Sequence, residues 1–115
     1  MREIVLDTET TGLDPRIGLY AAVTRETVEG GPKDGFLPEE RISLDAAIDL
    51  YTRGSAYAEF ADGRKGTLEP GKLADLAVFA ADLFKLEPRR ILTTPVDLTM
   101  VGGRVVFERS PGQTP

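Results

Sequence analysis

The sequence predicts an α+β domain: a helical first half followed by a small antiparallel β-sheet. Three observations predict it. Apolar residues recur at helical spacing between residues 15 and 60, β-branched and alternating runs fill residues 76 to 108, and Pro-Gly and Gly-Gly turn signals punctuate the second half. A chain of 115 residues has room for one small domain with a modest core.

Each element has a local cause. Ile4-Val5-Leu6 is apolar and partly β-branched, so Arg2 to Leu6 reads as a short strand, broken by Gly12 and Pro15. Asp14 suits an N-cap and Pro15 the first turn of a helix running to Thr27, with Ile17, Tyr20, Ala21 and Thr24 at helical spacing. Gly30-Gly31-Pro32 ends that helix in a loop over residues 30–38. Ser43 caps a second helix whose apolar face is Leu44, Ala47, Ile48 and Tyr51, with Ile42 as a hydrophobic staple. Gly54 breaks or bends it, and Ser55 to Phe60 forms another short helical segment. Ala61 to Arg64 is a turn, and Glu69-Pro70-Gly71-Lys72 has the residues of a type II turn. Leu76 to Ala80 reads as a buried strand. Val96 to Val101 and Arg104 to Glu108 read as two strands joined by a Gly102-Gly103 hairpin. The tail from Ser110 is expected to be disordered.

Composition excludes several function classes. There is no histidine, which removes the usual imidazole metal ligand and near-neutral acid–base catalyst. There is no cysteine, hence no disulfide and no thiolate metal site, in keeping with a cytoplasmic setting. Net charge is −5, and the basic residues cluster only as pairs such as Arg64-Lys65 and Arg89-Arg90, so nucleic acid is not an expected partner. No run reaches membrane-spanning length, and no secretory signal is recognisable.

The stretch D-T-E-T-T-G-L, Asp7 to Leu13, follows the first strand. Alternate strand residues share a face, so Asp7 and Glu9 project together and offer carboxylate oxygens suited to Mg²⁺ or Mn²⁺. Residues Met1 to about Pro15 resemble the start of the proofreading exonuclease of bacterial replicative DNA polymerase. That resemblance implies two metal ions held by Asp7 and Glu9 together with two later aspartates and a His or Tyr beside the last. The rest of the pattern is missing: Tyr20, Tyr51 and Tyr57 are followed four positions on by Thr24, Ser55 and Ala61, not by aspartate.

From Asp14 onward four blocks keep their order: DPRIGLYAAVTRET, ERISLDAAIDLYTRGSAYAEF, RKGTLEPGKLADLAVFAADLF and TMVGGRVVFE. They resemble the C-terminal end of metal-dependent amidohydrolases, most closely the subgroup called amidohydrolase family 3. The most diagnostic piece is G-x-L-x-x-G-x-x-A-D-L, carried by Gly66, Leu68, Gly71, Ala74, Asp75 and Leu76, with Pro70 in its turn and Gly102 and Gly103 in the last block. The resemblance implies hydrolysis of non-peptide C–N bonds by a metal-activated water at the mouth of a (β/α)₈ barrel. The implied ion, such as zinc, is held by histidines and an aspartate that lie upstream of these blocks. No cofactor is therefore expected in this chain, and no catalytic residue is assigned. Residues 15–62 would be the helical end of the barrel and 63–109 strands of its flanking β-sandwich. Residues 1–14 form the exonuclease-like start and 110–115 the tail. The two resemblances meet at Leu13-Asp14-Pro15, as in a fusion. A sheet without its partner strands would have open edges, through which the chain could self-associate or join an amidohydrolase barrel.

Other residues admit plain readings. Asp45 and Asp49 lie on one helix with Arg53 four residues beyond Asp49, the pattern of a solvated ion pair. Gly102-Gly103 lacks the lysine and following helix of a phosphate loop. Asp75 is read as the acceptor of a turn-stabilising hydrogen bond.

Overall fold

The computed structural model describes residues 14–110 and the backbone of Glu3–Ile4. Its elements are β1 (Glu3–Ile4), α1 (Pro15–Thr24), α2 (Leu44–Asp49), α3 (Ser55–Ala58), β2 (Leu76–Phe79), β3 (Val96–Val101) and β4 (Arg104–Glu108). The sheet is antiparallel in the order β1-β2-β3-β4, so the α+β class stands.

Helix α1 starts as its sequence dictates. Asp14 is the N-cap, its Oδ1 accepting from the Arg16 amide at 2.9 Å, and Pro15 occupies the first turn. It stops at Thr24, short of Thr27, because Arg25 turns left-handed at φ 62° and its amide bonds back to the Ala21 carbonyl. The buried stripe is also shifted. Leu19 and Tyr20 are fully enclosed, while Ile17 is 44% exposed.

Ser43 caps α2 through its Oγ, which accepts from Ala46 N at 3.1 Å. Ala47 is buried, and Ile42, Leu44, Ile48 and Tyr51 pack around the same core. Gly54 does not break this helix. Residues Leu50–Gly54 form a π-helical stretch, and α3 continues directly from it. Side-chain hydroxyls support the wider turn: Thr52 Oγ1 donates to the Ile48 carbonyl at 2.8 Å and Ser55 Oγ to the Leu50 carbonyl at 3.1 Å. A Schellman cap ends α3, with Ala61 N bonded to Ala56 O and Phe60 N to Tyr57 O. Phe60 holds the left-handed cap position at φ 60° and is 93% exposed.

Between β2 and β3 lie two 3₁₀ turns, Leu83–Lys85 and Pro88–Thr93, which the sequence pattern did not mark. They supply Leu83 and Ile91 to a core shared with Leu19, Ala47, Ala77 and Phe79. Fully burying such side chains stabilises by about 1.5–3 kcal/mol each. This core joins the helical half to the sheet. Ala77 and Phe79 face it, whereas Leu76, Val78, Leu98 and Met100, paired in register, form the opposite, half-buried face. Strand β1 covers part of the β2 edge, opposite Ala77 and Val78. Against β4 the register of β3 slips between Thr99 and Met100, leaving Val106 of β4 as a bulge residue. Val105 and Val106 are 50% and 60% exposed along that outer strand.

Gly18 leaves room on α1 for the end of the Tyr51 side chain. A Cβ built there would lie 1.6 Å from the Tyr51 hydroxyl oxygen and 2.6 Å from its Cζ. Glycine inside a helix ordinarily costs about 1 kcal/mol against alanine. Here the sign reverses: Gly18→Ala is expected to destabilise by about 1–3 kcal/mol in urea unfolding. In a Tyr51→Ala background the same change should become neutral or stabilising.

Candidate functional site

The diagnostic G-x-L-x-x-G-x-x-A-D-L segment is a loop slung from the end of α3 to the start of β2. It begins at Ala61, whose carbonyl accepts from Arg64 N at 2.9 Å and Lys65 N at 3.0 Å. Gly66 then passes against the helix at φ 106°, where a Cβ would sit 2.9 Å from the Ala56 Cβ and 3.3 Å from the Arg53 Cα. Both the conformation and the contact require glycine. The turn at Glu69 to Lys72 closes with Lys72 N on the Glu69 carbonyl at 3.1 Å, Pro70 and Gly71 (φ 93°) at its centre. Leu73 N bonds to the Arg64 carbonyl at 2.7 Å and shuts the base of the loop. Leu68 remains 46% exposed, and nothing in the structure explains its place in the motif.

Ala74 and Asp75 grip the tip of the β3–β4 hairpin. Asp75 Oδ1 accepts from Gly102 N at 2.7 Å, and the Ala74 carbonyl from Gly103 N at 3.1 Å. Gly102 (φ 58°) and Gly103 (φ 81°) both take the left-handed conformation of a two-residue hairpin turn. Leu76 opens β2 directly behind them. The structure thus brings Ala74, Asp75, Leu76, Gly102 and Gly103 together, with Gly66, Leu68, Pro70 and Gly71 in the adjoining loop.

That loop and the helix enclose an open cleft of about 340 Å³ lined by Arg53, Tyr57, Asp62, Lys65, Thr67, Glu69 and Lys72. Its cations are already engaged: Arg53 pairs with Asp49 at 2.5 Å, Lys65 with Glu59, and Lys72 with Glu69 at 3.5 Å. The Thr67 hydroxyl, 2.5 Å away, and then Lys72 hold the Glu69 carboxyl below its usual range. The cations of the cleft are thus neutralised by neighbouring carboxylates. No group of three or more Asp or Glu side chains among the described residues could hold a metal ion, and the sequence has no His or Cys to add. Asp7 and Glu9 lie outside the described residues.

A second constellation went unseen in the sequence. The Arg16 guanidinium forks onto Asp14, with Nε 3.0 Å from Oδ1 and Nη2 2.7 Å from Oδ2, and sends Nη1 to the Thr94 carbonyl at 2.8 Å. Arg89 donates to the Tyr20 hydroxyl at 3.0 Å and to the Val28 carbonyl at 2.9 Å, while Tyr20 donates to Glu26 at 2.9 Å. Two arginines therefore tie α1 to the turn that follows β2. The Asp-Pro-Arg order hints at the local fork, but no pattern announces its link across 78 residues.

A crystal structure of an amidohydrolase from Thermotoga maritima MSB8 resembles this arrangement with a TM-score of 0.51 at 25% identity, over 63% of this chain and 17% of that one. The sequence profile of the amidohydrolase family matches residues 6–107, and the chain belongs to that family. It is 29% identical over 98 residues to the Bacillus subtilis (strain 168) protein YtcJ, named as an amidohydrolase, covering 85% of this chain and 18% of YtcJ. It is 32% identical over 92 residues to the N-substituted formamide deformylase of Arthrobacter pascens, covering 80% and 16%. The chain thus spans less than a fifth of the length of these relatives.

Two outcomes test this geometry. Asp75→Ala should cost about 1 kcal/mol in urea unfolding and speed amide exchange at Gly102, while Asp75→Asn, which keeps an acceptor, should lose less. Hydrogen bonds from Arg16 hold the Asp14 carboxyl below its free value of 3.8. Its contribution is therefore fully present above that value and lost as pH falls through the lower, folded one. The pair is partly exposed, so Asp14→Asn should cost less than about 1 kcal/mol at neutral pH and flatten the acid limb of a stability–pH curve.

Proposed function

We propose that this chain is the C-terminal structural portion of a metal-dependent amidohydrolase of the family 3 subgroup, without hydrolytic activity of its own. Its helices would correspond to the end of the barrel and β2 to β4 to strands of the flanking sandwich. The observation that carries the reading is a family match over nearly the whole chain in a sequence devoid of histidine. Among the described residues no cluster of ligating side chains fits a divalent ion such as zinc. The work of the parent fold, cleavage of non-peptide C–N bonds, would belong to segments outside this sequence. The share of the relatives covered and the relative named for deformylation of N-substituted formamides support that assignment. The half-buried face of Leu76, Val78, Leu98 and Met100 and the exposed β4 edge fit a partner role, either self-pairing or docking on an amidohydrolase barrel. A cysteine-free chain suits the reducing cytoplasm. Among the described residues no helix is long and apolar enough to cross a membrane.

A second reading rests on Asp7 and Glu9, two residues apart beside a strand, as the remnant of a 3′–5′ exonuclease metal site using Mg²⁺ or Mn²⁺. Against it, the amidohydrolase match begins at residue 6, inside that same stretch, and β1 pairs with β2 of the amidohydrolase-like sheet.

The purified chain, supplied with Zn²⁺ or Mn²⁺ and either an N-substituted formamide or a cyclic amide, should show no turnover above buffer. Metal-dependent hydrolysis abolished by a chelator would overturn the leading reading. Saturable Mn²⁺ binding lost in Asp7→Ala would instead favour the second.

A further inference from the structure

We propose that the Asp62–Gly63 turn is a site of spontaneous isoaspartate formation, and that this chain thereby becomes a substrate for isoaspartate-directed methyl transfer. The inference stands on the turn alone and is independent of the family reading.

The chemistry needs an aspartate carboxyl free to be attacked and a following amide nitrogen that is neither crowded nor bonded. Most described aspartates fail one requirement. Asp14 is held by Arg16 and precedes proline, Asp49 pairs with Arg53, Asp75 accepts from Gly102, Asp82 from Phe84 N, and Asp97 from Arg109. Asp45 precedes Ala46, whose amide is given to Ser43.

Two Asp-Gly steps remain, and the structure separates them. At Asp34–Gly35 the Gly35 amide donates to the Pro32 carbonyl at 2.9 Å, and a Cβ on Gly35 would come within 2.4 Å of the Thr24 carbonyl oxygen. That glycine is wedged against the end of α1. At Asp62–Gly63 both residues are exposed, nothing lies within 4 Å of the Gly63 Cβ position, and Asp62 and the Gly63 amide have no hydrogen-bond or ion-pair partner among the described residues.

The Gly63 nitrogen attacks the Asp62 side-chain carboxyl carbon. A C–N bond forms and one water leaves, giving a five-membered imide. Water then adds at the former main-chain carbonyl and breaks its bond to nitrogen. The chain now runs through the side-chain carbon, and a free α-carboxylate is left. No electrons are exchanged, and water is the only co-reactant. The product has one extra main-chain carbon in the turn where Ala61 O receives Arg64 N and Lys65 N, so both bonds and the base of the motif loop are disturbed.

The test ages the full chain in mildly acidic buffer at physiological temperature. It measures methyl uptake from S-adenosylmethionine by an isoaspartate-specific methyltransferase, with electron-based fragmentation to locate the site. Isoaspartate should appear at Asp62 about tenfold faster than at Asp34, whose glycine must first break a hydrogen bond. Ageing in concentrated urea should bring the two sites to similar rates. Asp62→Glu, which would need a larger ring, should lose the Asp62 signal and keep a folded circular dichroism spectrum. Trypsin should cut the aged protein faster after Arg64 and Lys65. Isoaspartate absent from Asp62, equal at Asp34 in the native protein, or still unequal in urea would overturn the proposal.

Discussion

The fold depends on the enclosure of Leu19 and Phe79 by Leu83 and Ile91. Those four side chains come from α1, β2 and the two 3₁₀ turns after it, so the helical half and the sheet share one core. Arg16 and Arg89 act at the rim of this cluster. Each satisfies carbonyl groups that the irregular backbone would otherwise leave without partners: Thr94 for Arg16, Val28 for Arg89. Arginine suits the task because its planar fork can serve a carboxylate and a carbonyl at once.

The motif loop and the hairpin are built on the same logic at the other end of the sheet. One carboxylate, Asp75, satisfies an amide in a turn made of two glycines, and Gly66 lets the loop lie directly on the long helix. The cations above this loop are neutralised by neighbouring carboxylates. The chemistry of the segment is therefore that of holding a loop: Asp75 accepts from the Gly102 amide, and Glu69 is engaged by Thr67 and Lys72.

Much of this was legible in the sequence because local chemistry dictated it. The Asp14 and Ser43 caps, the Pro70-Gly71 turn, the Gly102-Gly103 hairpin and three strands follow from residues that favour few conformations. What was not legible depends on distant partners. Leu19 replaces Ile17 on the buried stripe because the surface α1 meets is a 3₁₀ turn some 70 residues later in the chain, and that turn carries no periodicity. The end of α1 rests on a left-handed arginine where glycine would be the usual signal. Gly54, a helix breaker on propensity, sits within a π-helical stretch that widens the helix instead of ending it. The role of Asp75 could be inferred in kind, while its partner, 27 residues away, emerges only from the fold.

The widened stretch from Leu50 to Gly54 also has a bearing on how the chain tolerates changes of length. A helix carrying one surplus residue is out of phase by about 100° with the count from its own N-cap. Ala56 reaches its enclosed position, and offers Gly66 its seat, only because of that offset. A one-residue deletion within Leu50–Gly54 would remove the surplus residue, restore a regular α-helical turn and leave Ala56 on its enclosed face with the loop still seated above it.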